Sequence, residues 1–357
     1  MDKTSLEHIV YIDNTNYLDD KSDYTYLPQN LVLELISLSK KIEFAILDYK
    51  FYPTIEQMDN NYSSNQLTSN NIFIPRIEGT YFALKFKIEI DKQIHIKEAS
   101  KLKDYNKEST STNFDYHKHT TFIFFDYFIR EIDNLLIICN LAHPGSLYTL
   151  TGLGYFNNNP TICNFQTRNH HLEHIQFSKN TLWPKLDNID IIKCWAWYTN
   201  NRGIFTGEQN SNLCRAASAY SLTLGEQCRL NEHITLLWSM IGIESLFKSS
   251  NTANLQSIRS QLKLNIESML GTYSLSSKII NSMYEIRSNF LHGGLNFPGL
   301  GHVAHENSRL EKNRREIKET ISASICILTS ALQYIIKHEL CDIHFNYKVT
   351  ISEKPHI

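Results

Sequence analysis

The alternation of apolar and polar positions changes its rhythm near residue 200. Before that point, short apolar runs are separated by turns rich in Asn, Ser and Thr, as over 60–71 and 157–160. The clearest strand signal covers 81–90, where Phe82, Leu84, Phe86, Ile88 and Ile90 alternate with Lys85, Lys87 and Glu89. Weaker runs predict strands over 72–74, 94–97, 147–150 and 161–165. Helical spacing predicts helices over 31–41 and over 125–141, the latter with Phe125, Phe128, Ile129, Ile132, Leu135 and Leu136 on one face. From about residue 210 nearly everything has helical spacing: 211–224, 231–248, 254–270 stopped by Gly271, 274–292 stopped by Gly293 and Gly294, and 307–340. The expected fold is therefore α+β, with a β-rich domain over 1–205 and an all-α bundle over 206–345.

Composition narrows the possibilities. Of 357 residues, 42% are hydrophobic and 20% charged, which gives ample material for a core and excludes global disorder. A formal charge of −2 excludes a generally basic nucleic-acid coat, though not a local basic groove. The seven cysteines form no CxxC pair, and the expectation is buried thiols that pack as small apolar groups. The longest apolar run, around 135–142, falls short of the ~20 residues of a membrane helix, and the first residues lack a signal-peptide pattern. The expectation is a cytoplasmic chain with no membrane partner.

Candidate chemistry sits in the helix over 274–292, which reads Tyr284-Glu285-Ile286-Arg287-Ser288-Asn289-Phe290-Leu291-His292-Gly293-Gly294. RNA can be cut by attack of its own 2′-hydroxyl on the neighbouring phosphate. That reaction needs a proton carrier working near neutrality and a cation for the charge building on phosphate oxygens. Imidazole, which ordinarily titrates at about 6.5, suits the first role, and His292 supplies one. A guanidinium grips phosphate with two prongs and suits the second, supplied by Arg287. No metal and no cofactor is called for. Five positions at ~100° each set the two residues about 140° apart around an ideal helix, so one helix presents them poorly to one ligand. The plainer alternative is an Arg on the helix flank and a His that caps carbonyls. Glu244 follows Leu237 and Ile241 at helical spacing; a carboxylate there calls for a partner, and Arg287 is the expected one. If that pair is buried, breaking it costs on the order of 3 kcal/mol.

The Arg287-to-His292 motif at the end of its helix, the stretch Leu236-Leu237-Trp238-Ser239-Met240-Ile241-Gly242-Ile243-Glu244-Ser245-Leu246-Phe247 and the Ala-rich helix with Arg215 together resemble the ApeA-like family of HEPN ribonucleases, over roughly 208–340. The resemblance implies a metal-independent endoribonuclease with Arg287, His292 and Glu244 in its site. It also implies a homodimer whose two motifs line one cleft, and a role in bacterial defence against phage by abortive infection. RNA, plausibly tRNA, would be the substrate, and the first domain would sense a phage-derived trigger or bind the substrate. Ser288 departs from the pattern, since many members carry Asn, Asp or His after the motif Arg.

Competing readings come from the same sequence. The bundle can equally be a non-catalytic module for RNA or nucleotide binding or for dimerisation. His170-His171-Leu172-Glu173-His174 matches the H-x-x-E-H pattern of zinc hydrolases, with His170 and His174 as ligands and Glu173 activating water. That chemistry requires a helix, whereas 174–178 alternates like a strand. Arg309, Lys312, Arg314, Arg315 and Lys318 could follow an RNA backbone, but the interspersed Glu311, Glu316 and Glu319 favour a solvated helix face. His302 and His305 have no assignable role, and Gly152-Leu153-Gly154 lacks the rest of a dinucleotide loop.

Overall fold

The central strand of the main sheet comes first in the chain. β1 (Lys3–Asp13) runs antiparallel to β5 (Tyr81–Asp91), with Lys3 opposite Asp91 and Asp13 opposite Tyr81. This pairing sets Leu6 against Ile88, His8 against Phe86 and Val10 against Leu84, so one sheet face is buried across both strands and apolar except at His8. The alternation over 81–90 is thus a real strand with its even-numbered side inward. The sequence reading did not single out β1, because Ile9, Val10, Tyr11 and Ile12 are all buried and the period-two signal is lost in a continuous apolar run.

The computed structural model describes residues 3–13, 28–58, 81–105, 115–147, 149–156, 159–163, 171–206, 211–225, 227–228, 232–248, 257–294, 308–341, 343 and 345. The strand expected over 72–74 lies outside them, as do His302 and His305. Contacts divide the chain into two compact units. The first comprises Met1–Glu173, Asp187–Asn200 and Leu224–Leu230; the second comprises His174–Leu186, Asn201–Thr223 and Asn231–Ile357. The chain passes between them several times, where the sequence reading drew one boundary after residue 205. The fold class is α+β, with antiparallel sheets in the N-terminal part and a largely helical C-terminal part.

In the first unit, α1 (Pro28–Leu38) precedes a small hairpin of β2 (Phe44–Ile46) and β3 (Tyr49–Phe51), then β4 (Thr54–Met58). After β5 come α2 (Lys92–Tyr105) and α3 (Tyr116–Ala142), then β6 (Thr149–Phe156) and β7 (Asn159–Cys163). The sheet order is β4-β5-β1-β6-β7. Gly152 and Gly154 lie in β6 and pair with β1 and β7. α3 buries Phe125, Phe128, Ile132, Leu135 and Leu136, as its spacing predicts; of the predicted face, Ile129 is only half-buried, and Phe124 is buried besides. Its buried Glu131 accepts from the Ala45 N–H at 3.2 Å and from the Tyr198 hydroxyl at 3.4 Å, which ties the hairpin and α5 (Ile191–Asn200) to this helix.

Two strand expectations are corrected. Residues 94–97 lie in α2, and 174–178 lie in α4 (Leu172–Thr181). In α4 the buried positions are Ile175 and Ser178, three apart; a five-residue alternation is too short to outvote that helical spacing.

The second unit contains α6 (Arg202–Thr206), α7 (Asn212–Thr223), α8 (Glu232–Phe247), α9 (Ile258–Leu270), α10 (Ser276–Leu291) and α11 (Ser308–Lys337). α8 packs against α7, α9, α10 and α11. At Gly242 the approach is close: a Cβ there would meet Leu328 at 2.8 Å and Ala219 at 3.3 Å. Within α11, Arg315–Lys337 is long and apolar enough to cross a membrane by composition, and its most apolar window is 83% buried in the fold. This corrects the sequence reading, which looked for unbroken apolar runs. Thr320, Ser322 and Ser324 interrupt the run yet return their hydroxyls to the carbonyls of Glu316, Lys318 and Ile321, and so behave as small buried groups.

Five described cysteines are buried and Cys341 is exposed. Burial pushes the thiols of Cys194 and Cys326 up to about 12, which keeps them protonated packing groups rather than nucleophiles. Burial also pushes His8 down to about 3. Above its ordinary value of about 6.5 that imidazole is neutral folded or unfolded; below it, only the unfolded chain takes the proton, so stability falls with pH down to about 3. Between pH 6.5 and pH 5 this amounts to about 2 kcal/mol. His8→Met should therefore shrink the stability lost between pH 7 and pH 5 by about that amount, measured by urea unfolding at both pH values. An unchanged loss would show that His8 does not govern the acid response.

Candidate functional site

α8, α9 and α10 bring four chemically able side chains together. Glu244 stands near the end of α8, whose final carbonyl, on Phe247, accepts from the Asn265 side chain of α9 at 2.7 Å. α10 buries Ile280 and Met283 and begins at Ser276, whose hydroxyl donates to Glu267 of α9. Its hydroxyl at Ser282 meets that of Thr320 on α11 at 3.0 Å. These contacts fix the helices that carry the site.

Arg287 Nη1 lies 3.2 Å from Glu244 Oε1, so the expected partners do meet. Their setting is a flank rather than the core. Leu236, Met240 and Ile243 form the buried face of α8, while Leu237, Ile241 and Glu244 are half-buried. About a quarter of each charged side chain is exposed, 27% for Arg287 and 23% for Glu244, although Arg287 Nε and Glu244 Oε1 themselves are shut from solvent. The guanidinium is thus held on one side while part of it remains reachable.

Two further residues complete the cluster. Tyr284, one helical turn before Arg287, has its phenol pushed up first by burial and next by the Glu244 carboxylate, with Arg287 and Arg259 pulling it back. It remains a protonated donor at neutral pH. Arg259, on α9, places its guanidinium 5.5 Å from the centre of the Tyr284 ring. The sequence held a signal for Tyr284, three positions before Arg287 on the same helical face. It held none for Arg259, which reaches the site only through the packing of α9.

His292 is elsewhere. It caps α10, with its N–H bonded to the Ser288 carbonyl at 3.0 Å, and it is exposed. Gly293 then takes φ 74° and the Gly294 N–H closes onto the Asn289 carbonyl at 2.8 Å, the six-residue C-terminal lock that a left-handed glycine permits. The His292 ring makes no hydrogen bond or ion pair with a described residue, and the structure does not join it to the Arg287–Glu244 pair. A second imidazole, His233 of α8, stacks on Phe290 near the same helix end, with centroids 5.1 Å apart. Burial pushes His233 down, which favours its neutral form.

The zinc pattern is only partly within the described residues. His170 lies outside them, and His171 is buried. His174 is helical, as zinc binding would demand. Its Nδ1 is 3.0 Å from Ser322 Oγ, and since that hydroxyl donates to Lys318, the imidazole is the donor. Among the described residues, no three His, Cys, Asp or Glu side chains group to hold a metal ion. The basic run reaches the described side chains only at Arg315, exposed, and Lys318, half-buried.

No family model matches the chain, and neither a curated protein nor a solved structure is significantly similar to it.

The half-exposed setting of the ion pair lowers the expected cost of breaking it. Glu244→Ala should destabilise the protein by about 1–2 kcal/mol, between an exposed pair and a buried one, and Glu244→Gln should restore part of that. Chemical denaturation of the three proteins reads this directly; equal stability of the wild type and Glu244→Ala would show that the pair contributes nothing to the fold.

Proposed function

We propose that the helical unit is a metal-independent endoribonuclease of the HEPN kind, with Arg287 as the phosphate-binding cation, His292 as the proton carrier and Glu244 as the residue that orients Arg287. The observation that supports it is the Glu244–Arg287 pair, which fixes a guanidinium at 3.2 Å while leaving part of it exposed, five residues before a solvent-facing imidazole. In the reaction, the 2′-oxygen attacks the adjacent phosphorus and the bond to the 5′-oxygen breaks. A neutral imidazole takes the 2′-hydroxyl proton, and an imidazolium returns one to the leaving oxygen. The products are a 2′,3′-cyclic phosphate and a free 5′-hydroxyl. Arg287 neutralises the charge that grows on the non-bridging oxygens, with Tyr284 and Arg259 adding a hydroxyl donor and a second cation beside it.

The separation of Arg287 from His292 favours a composite site. In a symmetric dimer whose α10 ends meet, the guanidinium of one copy can face the imidazole of the other. The reading extends to defence against phage in a bacterial cytoplasm, with RNA such as tRNA as the target and the sheet unit responding to a trigger. The same separation also suits the second reading, a bundle that binds RNA or dimerises without cutting.

The decisive experiment expresses the wild type, His292→Ala and Arg287→Ala in bacteria under phage challenge and sequences RNA ends. The purified proteins are then assayed on RNA across concentrations. His292→Ala should lose at least about 100-fold in cleavage with little change in melting temperature, because an exposed helix-end residue carries little packing. Arg287→Ala should lose about 10²–10³-fold. Full cleavage by His292→Ala removes the case for this site, RNA binding without cleavage selects the second reading, and cleavage by a monomer rejects the composite arrangement.

Activity should also survive EDTA, since Arg and His suffice for 2′-hydroxyl chemistry. Loss in EDTA with recovery only on adding Zn²⁺ or Mg²⁺ would overturn this mechanism.

A further inference from the structure

The corner of the helical unit around Tyr284 carries more positive charge than its acids answer. Glu244 is already taken by Arg287 at 3.2 Å. Arg259, the second cation, is exposed, and its guanidinium carbon lies 5.5 Å from the centre of the Tyr284 ring. It makes no ion pair with a described residue. Contact with a ring restrains a guanidinium without engaging its N–H groups on an oxygen. Arg287 and Arg259 both pull the Tyr284 phenol down, which puts the two cations within electrostatic reach of one hydroxyl.

The other acids nearby leave Arg259 unanswered. The first turn of α9, where Arg259 stands, contains none. Glu267, two turns further along α9, accepts from Ser276 and pairs with Lys263 at 4.0 Å. Glu285 is adjacent to Tyr284 on α10, and the helix turns it about 100° away from that residue. Lys248, one turn beyond Glu244 on α8, adds an exposed ammonium that likewise makes no ion pair with a described residue. A restrained, solvent-facing guanidinium with no carboxylate suits an anion from outside the chain.

The two guanidiniums have separate supports, a carboxylate on α8 for Arg287 and an aromatic ring on α10 for Arg259. Drawing both onto one phosphate would cost each its support and crowd like charges together. A chain with phosphates in series satisfies both where they stand. We propose that Arg259 binds the RNA phosphate next to the one held by Arg287, so that the site takes two consecutive phosphates of the substrate backbone. This deepens the ribonuclease reading and rests on its assignment of Arg287 to a phosphate. Arg259 then contributes binding rather than chemistry: it sits beside the reacting phosphorus and holds the substrate equally before and during the reaction.

RNA binding measured apart from cleavage tests the assignment. The full-length His292→Ala protein, alone or with Arg259→Ala or Arg259→Lys, is titrated into a fluorescein-labelled, mixed-sequence RNA, and anisotropy gives Kd at a series of NaCl concentrations. The logarithm of the binding constant falls with that of the salt by about 0.7 for each phosphate neutralised on a single strand. Arg259→Ala should therefore lower the slope by about 0.7 and weaken binding about fivefold at about 0.1 M salt. Arg259→Lys keeps the charge and should restore the slope. With His292 intact, Arg259→Ala should raise KM by about the same factor and leave kcat unchanged. Unchanged affinity overturns the proposal, as does a fall in kcat at unchanged KM. Affinity lost with an unmoved slope puts both guanidiniums on one phosphate and overturns it too. RNA bound but not cut by the wild type, with the slope still lower in Arg259→Ala, keeps this proposal and rejects the ribonuclease reading. Cutting by the wild type with an unmoved slope does the reverse.

Discussion

The helical unit depends on a helix with no solvent face along its central turns. Every residue of α11 from Thr320 to Gln333 is buried, so neighbours must cover it all round. This works because its polar positions are Ser and Thr, several of which bond their own turns and leave small, self-satisfied surfaces. Small groups in turn allow close approach: Gly242 of α8 meets Leu328, and Ser239 meets Ser324 at 2.7 Å. With its inner face committed to α11, α8 has only its flank left for Glu244. α10, tied to α11 through Ser282 and Thr320, is the helix that supplies the answering cation.

Much of this arrangement was legible in the sequence, and what was not has identifiable causes. The helices from α7 to α11 followed from spacing and from glycine stops, because each has one clear face or one sharp end. Gly293 in particular occupies the left-handed position that a β-carbon resists. β1 was hidden because a strand covered on both sides reads as an apolar run, and α2 and α4 were hidden because four or five alternating residues fit either period. α11 escaped a search for unbroken apolar sequence for the opposite reason: its hydroxyls look polar on paper and are neutralised locally in the fold. A rule based on run length cannot see a hydroxyl's bond to the carbonyl one turn back.

The site shows the same division. Glu244 and Arg287 lie on helices whose registers were readable, and a carboxylate on a semi-apolar flank demanded a cation within reach. The depth of the pair was not readable, because it depends on which face of α8 packs inward; the inward face is that of Leu236, Met240 and Ile243. The place of Arg259 beside Tyr284 is a product of packing between separate helices, and sequence spacing carries no trace of it.

Helix geometry sets the terms for any chemistry at the end of α10. A turn of 100° per residue places Arg287 and His292 about 140° apart, and the glycine lock after His292 holds the imidazole at the cap rather than letting the chain continue around the axis. Glu244 then anchors the guanidinium toward α8, away from any rearrangement that would bring it around to the cap. On the proposed reading, these constraints make a single copy a poor catalyst and a symmetric pair a natural one, since a two-fold axis beside α10 supplies the missing rotation without distorting either helix. A guanidinium whose orientation is fixed by a carboxylate enters such a cleft at little further cost in side-chain entropy, which is the advantage of pairing it before the substrate arrives.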